Sequence, residues 1–244
     1  MERSDYIFGI RPVLEAIEAS KSIDKILMKR ELNGDLAKEL VDKAREYNIP
    51  IQRVPNDRLN RITMKNHQGV IAIVCPVRYY DLDNLVADLY ERGKTPLAVI
   101  LDGVTDARNF GAIARSAECA GADFIMIPEK GSASVTSDSV RASAGALFHL
   151  PVCRVKDLSK AVVTLQSNGY KVIGASEKSK VNYTDLDYTV PVAIVMGAED
   201  TGLSPDVLKR CDDLAAIPIC GKVGSLNVSV ACGVLLYEAV RQRR

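Results

Sequence analysis

The chain has 244 residues, of which 47% are hydrophobic and 26% charged, and its formal net charge is +1. This length suits one large or two modest globular domains. The near-neutral charge excludes a protein that coats nucleic acid through a global positive field, but it leaves a local basic patch possible. Six cysteines without a CxxC pair and only two histidines argue against zinc and favour reduced, buried thiols. With no apolar signal core and no membrane-length run, we expect a cytoplasmic protein.

Residues 1–76 are predicted to form a small α/β domain. The hydrophobic patterns indicate, in chain order, a helix over 10–19, a strand over 24–29, a helix over 35–47, and strands over 51–54 and 69–74. This block has 13 Lys and Arg against 11 Asp and Glu. Some of its positive charge is clustered, at Arg58, Arg61, Lys65 and His67. The cluster fits either an RNA contact or an ordinary solvated surface.

Residues 77–95 are interpreted as a linker with some helix in it, and residues 96–244 as a second, larger domain. Strands are predicted over 97–101, 124–128, 171–175, 192–196 and 214–219. Helical patterns lie between most of them, as at 112–119 and 158–168. Strands that alternate with helices indicate a mainly parallel sheet with helices on both faces.

Three strand ends of the second domain carry glycine-containing loops, at residues 102–115, 197–204 and 217–233. Because ligands of open parallel sheets bind beyond the carboxyl ends of the strands, these loops predict one site at one sheet edge. Common nucleotide motifs do not fit. No GxGxxG occurs, and Leu203 stands where a phosphate-binding loop has its lysine. A dinucleotide oxidoreductase and a nucleoside triphosphatase are therefore disfavoured.

The loops contain five candidate site residues: Asn109, Arg115, Glu199, Ser225 and Asn227. Asn227 is expected in the first turn of an apolar helix, where a polar side chain needs a partner inside the protein or a ligand. Ser225 is a natural N-cap of that helix. An ordinary strand–turn–helix junction remains the alternative for this segment, and an exposed helix charge is the alternative for Arg115.

The three loops resemble the three signature motifs of the SPOUT methyltransferases, specifically those of the TrmH family of RNA 2′-O-ribose methyltransferases. The matching segments are residues 109–117, 196–204 and 217–229. The first block, through residues 8–16 and 67–70, is similar to the substrate-binding domain of a subset of this family. That subset includes enzymes that methylate a guanosine ribose in large-subunit ribosomal RNA.

The resemblance implies a SPOUT domain with a deep C-terminal trefoil knot, a small N-terminal RNA-binding domain, and a homodimer. It implies S-adenosylmethionine as the methyl donor. The implied cofactor-binding residues are Met196, Gly197, Ile217, Ile219 and Leu226. It further implies RNA as the partner, with neither DNA nor a membrane involved, and no metal requirement.

The resemblance also implies that Arg115 activates the ribose 2′-hydroxyl. Since a guanidinium group keeps its proton at physiological pH, we expect it to position the adjacent phosphate and stabilise the developing alkoxide. Asn109, Ser225 and Asn227 would orient the arginine and the ribose, and Glu199 would offset the cofactor's charge or brace its loop. Two alternatives remain: a tRNA guanosine as the substrate, and a non-catalytic RNA-binding or ribosome-assembly protein.

Overall fold

A computed structural model describes residues 6–133 and 135–244, and the chain divides into two compact units. Of the described residues, the first unit comprises 6–77 and 135–137, and the second comprises 78–133 and 138–244. Within the described residues, no helix combines the length and the apolar character needed to cross a bilayer.

Over its described residues, the first unit is a four-stranded mixed sheet with three helices. In chain order its elements are β1 (Tyr6–Phe8), α1 (Ile10–Glu18), β2 (Ile23–Lys29), α2 (Asp35–Glu46), β3 (Ile51–Val54), α3 (Asn56–Ile62) and β4 (Val70–Val74). The strand order is β1-β4-β2-β3, with β2 and β3 parallel and the other pairs antiparallel. The predicted helices and strands agree within about one residue at each end. Only β1 and α3 were not predicted, because three and seven residues are too few to show a hydrophobic period.

The two faces of this sheet are covered unequally. Helices α1 and α2 pack on one face, where Val13, Ile17 and Leu40 are fully buried or nearly so. The opposite face is covered by the short α3, which places Leu59 against Ile71. Side chains of the edge strand β1 lie only partly buried at the margin of this second core.

The two segments that carry the resemblance in the first unit meet each other. Oε1 of Gln68 accepts a hydrogen bond from the backbone N–H of Ile10 at 3.3 Å, at the start of α1. His67 is buried: its Nδ1 accepts from the N–H of Gly69 at 3.0 Å, and its Nε2 lies 2.9 Å from Oδ1 of Asn60. His67 therefore supports the loop and does not belong to the exposed basic cluster in which the sequence placed it.

The second unit has a seven-stranded sheet. Its elements are β5 (Tyr79–Tyr80), α4 (Leu82–Glu91), β6 (Leu97–Asp102), α5 (Ala107–Cys119), β7 (Phe124–Pro128), α6 (Ser137–Ala142), β8 (Val152–Val155), α7 (Leu158–Ser167), β9 (Lys171–Ala175), β10 (Val192–Gly197), α8 (Pro205–Leu208), β11 (Asp213–Ala215) and α9 (Val228–Gln242). The strand order is β11-β9-β10-β6-β7-β8-β5, and every pair is parallel. The predicted α/β architecture with a parallel sheet is confirmed, and the trefoil knot stays a prediction.

Helices cover both faces of this sheet. On one face, α4, α7 and α8 pack over alternate strand residues such as Ile100 and Met126. The intervening residues, among them Val99 and Ile194, are also fully buried. Their face is covered by α9, which packs against β10, and by α5, which packs against α9. Burial on both faces explains why these strands appear in the sequence as continuous apolar runs.

Two segments of the second unit, residues 77–95 and the end of strand β11, differ from the prediction. The interval 77–95 holds β5 and α4, and Leu82, Val86 and Leu89 of α4 lie in the core, so the unit begins before residue 96. Strand β11 ends at Ala215, although apolar residues continue to Ile219. They continue because that part of the loop lines a cleft, as described below.

Candidate functional site

The carboxyl ends of β6 and β10 lie side by side, with Gly197 paired in register with Asp102. Loops therefore leave both strands at the same edge of the sheet. Oδ2 of Asp102 accepts a hydrogen bond from the backbone N–H of Ser204 at 2.6 Å, which ties the loop after β10 to the end of β6. Strand β11 ends at this edge too, since it runs parallel to β9 in the same sheet. The predicted gathering of three loops is present.

The loop after β10 closes tightly on itself. Ala198 and Gly202 exchange two backbone hydrogen bonds, of 3.0 and 2.9 Å. A Cβ atom placed on Gly197 would lie 2.3 Å from the carbonyl carbon of Gly202, so any larger residue there would displace the backbone. Gly202 has φ +71°, a conformation that favours glycine. Both positions of this bend therefore favour glycine: Gly197 because a side chain would clash, and Gly202 because of its backbone conformation.

A network of amide and carboxylate groups connects the three loops. Oε1 of Glu199 accepts hydrogen bonds from Nδ2 of Asn109 at 2.8 Å and from Nδ2 of Asn227 at 3.0 Å. Nδ2 of Asn227 also lies 3.1 Å from Oδ1 of Asn109. Hydrogen bonds to an ionised carboxylate are stronger than those between neutral groups. One glutamate oxygen therefore fixes two asparagines that come from distant parts of the chain.

Asn227 also begins helix α9. Its Oδ1 accepts from the backbone N–H of Ser229 at 2.9 Å and from the Ser229 hydroxyl at 2.6 Å, which makes Asn227 the N-cap. The expectation that Ser225 caps the helix, with Asn227 in its first turn, was wrong. The backbone stays non-helical through Leu226, so the cap falls two residues later. The two ends of the Asn227 amide thus serve different purposes: the oxygen caps the helix and the nitrogen joins the network.

A cleft opens beside this network at the sheet edge. It is lined by residues that are mostly small or apolar: Ala175, Ser176, Glu177, Met196, Gly197, Ala198, Glu199, Gly202, Ala215, Ile217, Ile219, Ser225, Leu226, Val228 and Ala231. All five residues predicted to hold a cofactor are among them, together with Glu199 and Ser225. Of the described residues that line the cleft, none is Lys or Arg, and two are carboxylates. The cleft therefore suits a neutral or cationic ligand rather than a phosphate.

Arg115 stands apart from both the cleft and the network. It lies on α5 and is exposed, and no described residue forms a hydrogen bond or an ion pair with its guanidinium. Asn109 and Arg115 are six positions apart, so at ~100° per residue they point roughly 120° apart around the helix. The structure thus brings together four of the five candidate polar residues and leaves the guanidinium available to a molecule outside the protein.

Sequence reasoning missed the contribution of β9 to the cleft. Ala175 ends that strand, and Ser176 and Glu177 follow it directly and line the cleft. The signal was present, since β9 was predicted and its carboxyl end must lie at the same edge as those of its parallel neighbours. The loop after β9 contains no glycine pair, so it did not stand out as the other loops did.

The cysteines are only partly buried. Cys75, Cys153 and Cys232 are buried, but Cys119 and Cys220 are exposed, contrary to the expectation of uniformly buried thiols. Burial raises the pKa of Cys232 to about 12, so this thiol beside the site stays protonated and is not a nucleophile at neutral pH. In the described part of the chain, no three His, Cys, Asp or Glu side chains are grouped as a metal site requires.

Known proteins resemble this chain along nearly its whole length. The sequence profile of the SpoU rRNA methylase family matches residues 96–237, and that of the RNA 2′-O ribose methyltransferase substrate-binding domain matches residues 6–80. A putative TrmH family tRNA/rRNA methyltransferase of Staphylococcus saprophyticus is 36% identical over 237 residues, which cover 97% of this chain and 95% of the relative. YacO of Bacillus subtilis, a putative TrmH family tRNA/rRNA methyltransferase, is 34% identical over 242 residues, which cover 99% and 97%.

A solved structure extends the likeness to three dimensions. The SpoU methyltransferase AviRb from Streptomyces viridochromogenes, in complex with the cofactor AdoMet, superposes with a TM-score of 0.62 at 30% identity. The superposition covers 98% of this chain and 90% of that one.

Proposed function

This chain belongs to the SpoU (TrmH) family of RNA methyltransferases, and on that premise we propose that it methylates the 2′-hydroxyl of a guanosine ribose in large-subunit ribosomal RNA. The observation that carries this proposal is the cleft without cationic side chains beside the network of Asn109, Glu199 and Asn227. This combination suits a cationic donor and an acceptor rich in hydroxyl groups.

The cleft fits S-adenosylmethionine, which when bound supplies an electrophilic methyl group on a sulfonium. A lysine or arginine in the lining would repel that positive charge, and none of the described lining residues is one. Met196, Gly197, Ile217, Ile219 and Leu226 would hold the cofactor through backbone groups and apolar contacts. Glu177 and Glu199 supply negative charge at the same cleft.

Arg115 is the residue we assign to the acceptor. Its guanidinium is exposed and has no partner among the described residues, so it binds a phosphate of the RNA and stabilises negative charge that develops on the 2′-oxygen. Asn109 lies on the same helix and is held by Glu199, which gives the start of α5 a fixed position. Ser225 and Asn227 complete the polar side of the site that faces the ribose.

We infer that helix α9 packs against a second copy of this chain. Val230, Val234 and Tyr237 follow one another at helical spacing, and Val230 and Tyr237 are 52% and 53% exposed. An apolar stripe of this kind next to a site is typical of an interface. The loop residues Leu226 and Val223, which are 40% and 76% exposed, continue the apolar surface.

The first unit favours ribosomal RNA over tRNA as the substrate. It matches an RNA substrate-binding domain, and in this chain that domain accompanies the catalytic fold. The relatives named above are called tRNA/rRNA methyltransferases, so a tRNA guanosine is the second candidate. Both kinds of RNA lie in the cytoplasm of bacteria, and we infer that compartment for the reaction. A purely RNA-binding role is disfavoured by the intact network.

Mapping of 2′-O-methyl groups by mass spectrometry tests the function directly. RNA from cells that lack the gene is compared with RNA from cells complemented by the wild type or by the Arg115→Lys variant. We expect one guanosine of large-subunit RNA to lose its mark in the deletion and to regain it only with the wild type. Loss of a tRNA mark supports the second candidate. Near wild-type turnover of Arg115→Lys with unchanged RNA affinity contradicts the role of the guanidinium fork.

A further inference from the structure

We propose that the α3 side of the first unit's sheet binds a single-stranded segment of RNA, with bases stacked on Tyr6 and Phe8 and phosphates held by Arg58 and Arg61. This inference deepens the proposed function and rests on it, since it assigns a surface and a recognition chemistry to the RNA substrate.

A groove lies along this side of the sheet. Its lining combines aromatic, aliphatic and cationic side chains: Tyr6, Lys25, Leu27, Pro55, Asp57, Arg58, Arg61, Ile62 and Ile73. It exists because α3 is only seven residues long and covers part of the sheet. The groove has three cations and one carboxylate, so its charge favours an anion.

One aromatic ring of the edge strand, that of Tyr6, lines this groove, and a second, that of Phe8, lies next to it on the same strand. Tyr6 and Phe8 are alternate residues of β1, so both side chains point to the α3 side of the sheet. Their ring centroids are 6.4 Å apart and the ring planes differ by 19°. Both residues are partly exposed. Aromatic side chains that remain partly exposed offer ring surface on which nucleic-acid bases stack.

The cations lie where they can reach a phosphate backbone. Arg58 and Arg61 are three positions apart on α3, so they are neighbours on one side of that helix. Both are exposed, and no described residue forms an ion pair or hydrogen bond with either guanidinium. Their charge is therefore not neutralised within the described part of the protein.

The opposite side of the sheet does not offer such a surface. Helices α1 and α2 carry six carboxylates and four cations between them. Some of these charges neutralise one another: Lys43 pairs with Glu18 at 3.4 Å, and Arg45 lies 3.9 Å from Asp42. A polyanion is repelled by that net charge. Because the α1–α2 side has a net negative charge and the α3 groove has more cations than carboxylates, the α3 side is the one that faces the RNA.

The chemistry favours a single strand over a duplex. In an RNA helix the bases are stacked on one another, so aromatic side chains reach only bases that are splayed out of loops, bulges or ends. Phosphates are present in both forms and bind arginine in both. The pairing of rings with arginines therefore indicates an unpaired segment of the substrate.

The test measures the affinity of the full chain for a fluorescein-labelled 12-nucleotide RNA, either single-stranded or annealed to its complement, by anisotropy at several salt concentrations. Arg58→Gln with Arg61→Gln should weaken single-strand binding about tenfold or more, and reduce the salt slope by ~1.4 for two lost phosphate contacts. Tyr6→Leu with Phe8→Leu should weaken it about fivefold or more with little change in slope. The control, Lys38→Gln with Arg45→Gln on α2, removes the same charge and should stay within about twofold.

The inference is overturned if the groove variants bind like the wild type, if the control loses as much affinity as the arginine variant, or if the duplex binds as tightly as the single strand. If RNA binding is unchanged in all variants, the groove does not bind RNA, and a protein is then the occupant to test. Thermal melting verifies that each variant is folded. Binding of radiolabelled S-adenosylmethionine to the same preparations tests the proposed function separately, because that site lies in the second unit.

Discussion

Asn227 donates through Nδ2 to the carboxylate of Glu199 at 3.0 Å, while its Oδ1 caps helix α9. One side chain thereby joins the start of a helix to the site. The two tasks can be separated by substitution, because aspartate is as good an N-cap as asparagine but has no N–H to give.

Asn227→Asp should therefore keep α9 capped and lose the network. The new carboxylate would face Glu199 at hydrogen-bonding distance, and the repulsion should lower the rate of methyl transfer by about 10- to 100-fold, or ~1.4–2.7 kcal/mol. Glu199→Gln in the same chain restores a donor opposite the aspartate and should recover part of the rate. Kinetics of the two single variants and of the double variant measure this coupling. If the losses of rate in the two single variants simply add in the double variant, the contact between residues 199 and 227 does not contribute to the rate.

Gly197→Ala should disrupt the loop after β10, because its Cβ would lie 2.3 Å from the carbonyl carbon of Gly202. We expect a loss of about 1–3 kcal/mol in the free energy of unfolding and much weaker cofactor binding. Gly221→Ala is the matched control, since nothing lies within 4 Å of its added Cβ. Urea unfolding and equilibrium dialysis with S-adenosylmethionine compare the two. Equal behaviour of both variants would contradict the steric argument.

Arg243 should be a strong contributor to the stability of the second unit. Its guanidinium donates to the carbonyl oxygens of Tyr188, Thr95, Val190 and Pro96, at 2.8, 2.8, 2.7 and 3.1 Å. Lysine lacks the planar fork that makes these bonds together. Arg243→Lys should lower the free energy of unfolding by about 2–3 kcal/mol. The neighbouring exposed Arg244→Lys should leave it unchanged, and a thermal melt of both variants decides.

The free energy of unfolding should fall in alkali because two of the three buried thiols have strongly raised pKa values. Burial raises the pKa of Cys153 and of Cys232 to about 12, from an ordinary 9.0. The folded state therefore favours the protonated thiols: their contribution is intact below pH 9 and is lost as the pH rises from 9 towards 12. The loss is at most ~1.4 kcal/mol per pH unit for each thiol.

Urea unfolding between pH 7 and 10.5 measures this dependence. Cys232→Ala should reduce the dependence of the free energy of unfolding on pH above pH 9 by the contribution of one thiol. The cavity left by the substitution lowers stability at every pH. Cys119→Ala removes an exposed thiol and should leave the slope as in the wild type. A slope that does not respond to Cys232→Ala would show that other groups cause the alkaline loss.

The large features of the fold were predictable because they depend on local patterns. The strands that became β6, β7 and β10 appear as apolar runs since both faces of each are buried. Parallel strands end at a common edge, so the gathering of the three loops followed from the strand assignments alone. The family resemblance predicted five cofactor-binding residues, and all five lie in the lining of the cleft, while their role in binding stays a prediction.

The details of the site depended on contacts that sequence spacing does not show. Glu199 binds Asn109, which lies 90 positions away, and this contact arises only when β6 and β10 become neighbours. Asn227 and not Ser225 caps the helix because the backbone stays non-helical through residue 226. Strand β5 was missed because two residues carry too little pattern, whereas β8 was missed although it is as long as the correctly predicted β3.

The network also sets the moment at which the protein can become active during its synthesis. Its members lie at positions 109, 199 and 227, and the last pair to form, Asn109 with Asn227, spans 118 positions. A ribosome that has released only the first two thirds of the chain has produced the first unit, β6 and α5, but no completed site. We expect such a partial chain to be inactive in methyl transfer, because Glu199, Asn227 and helix α9 are still missing from it.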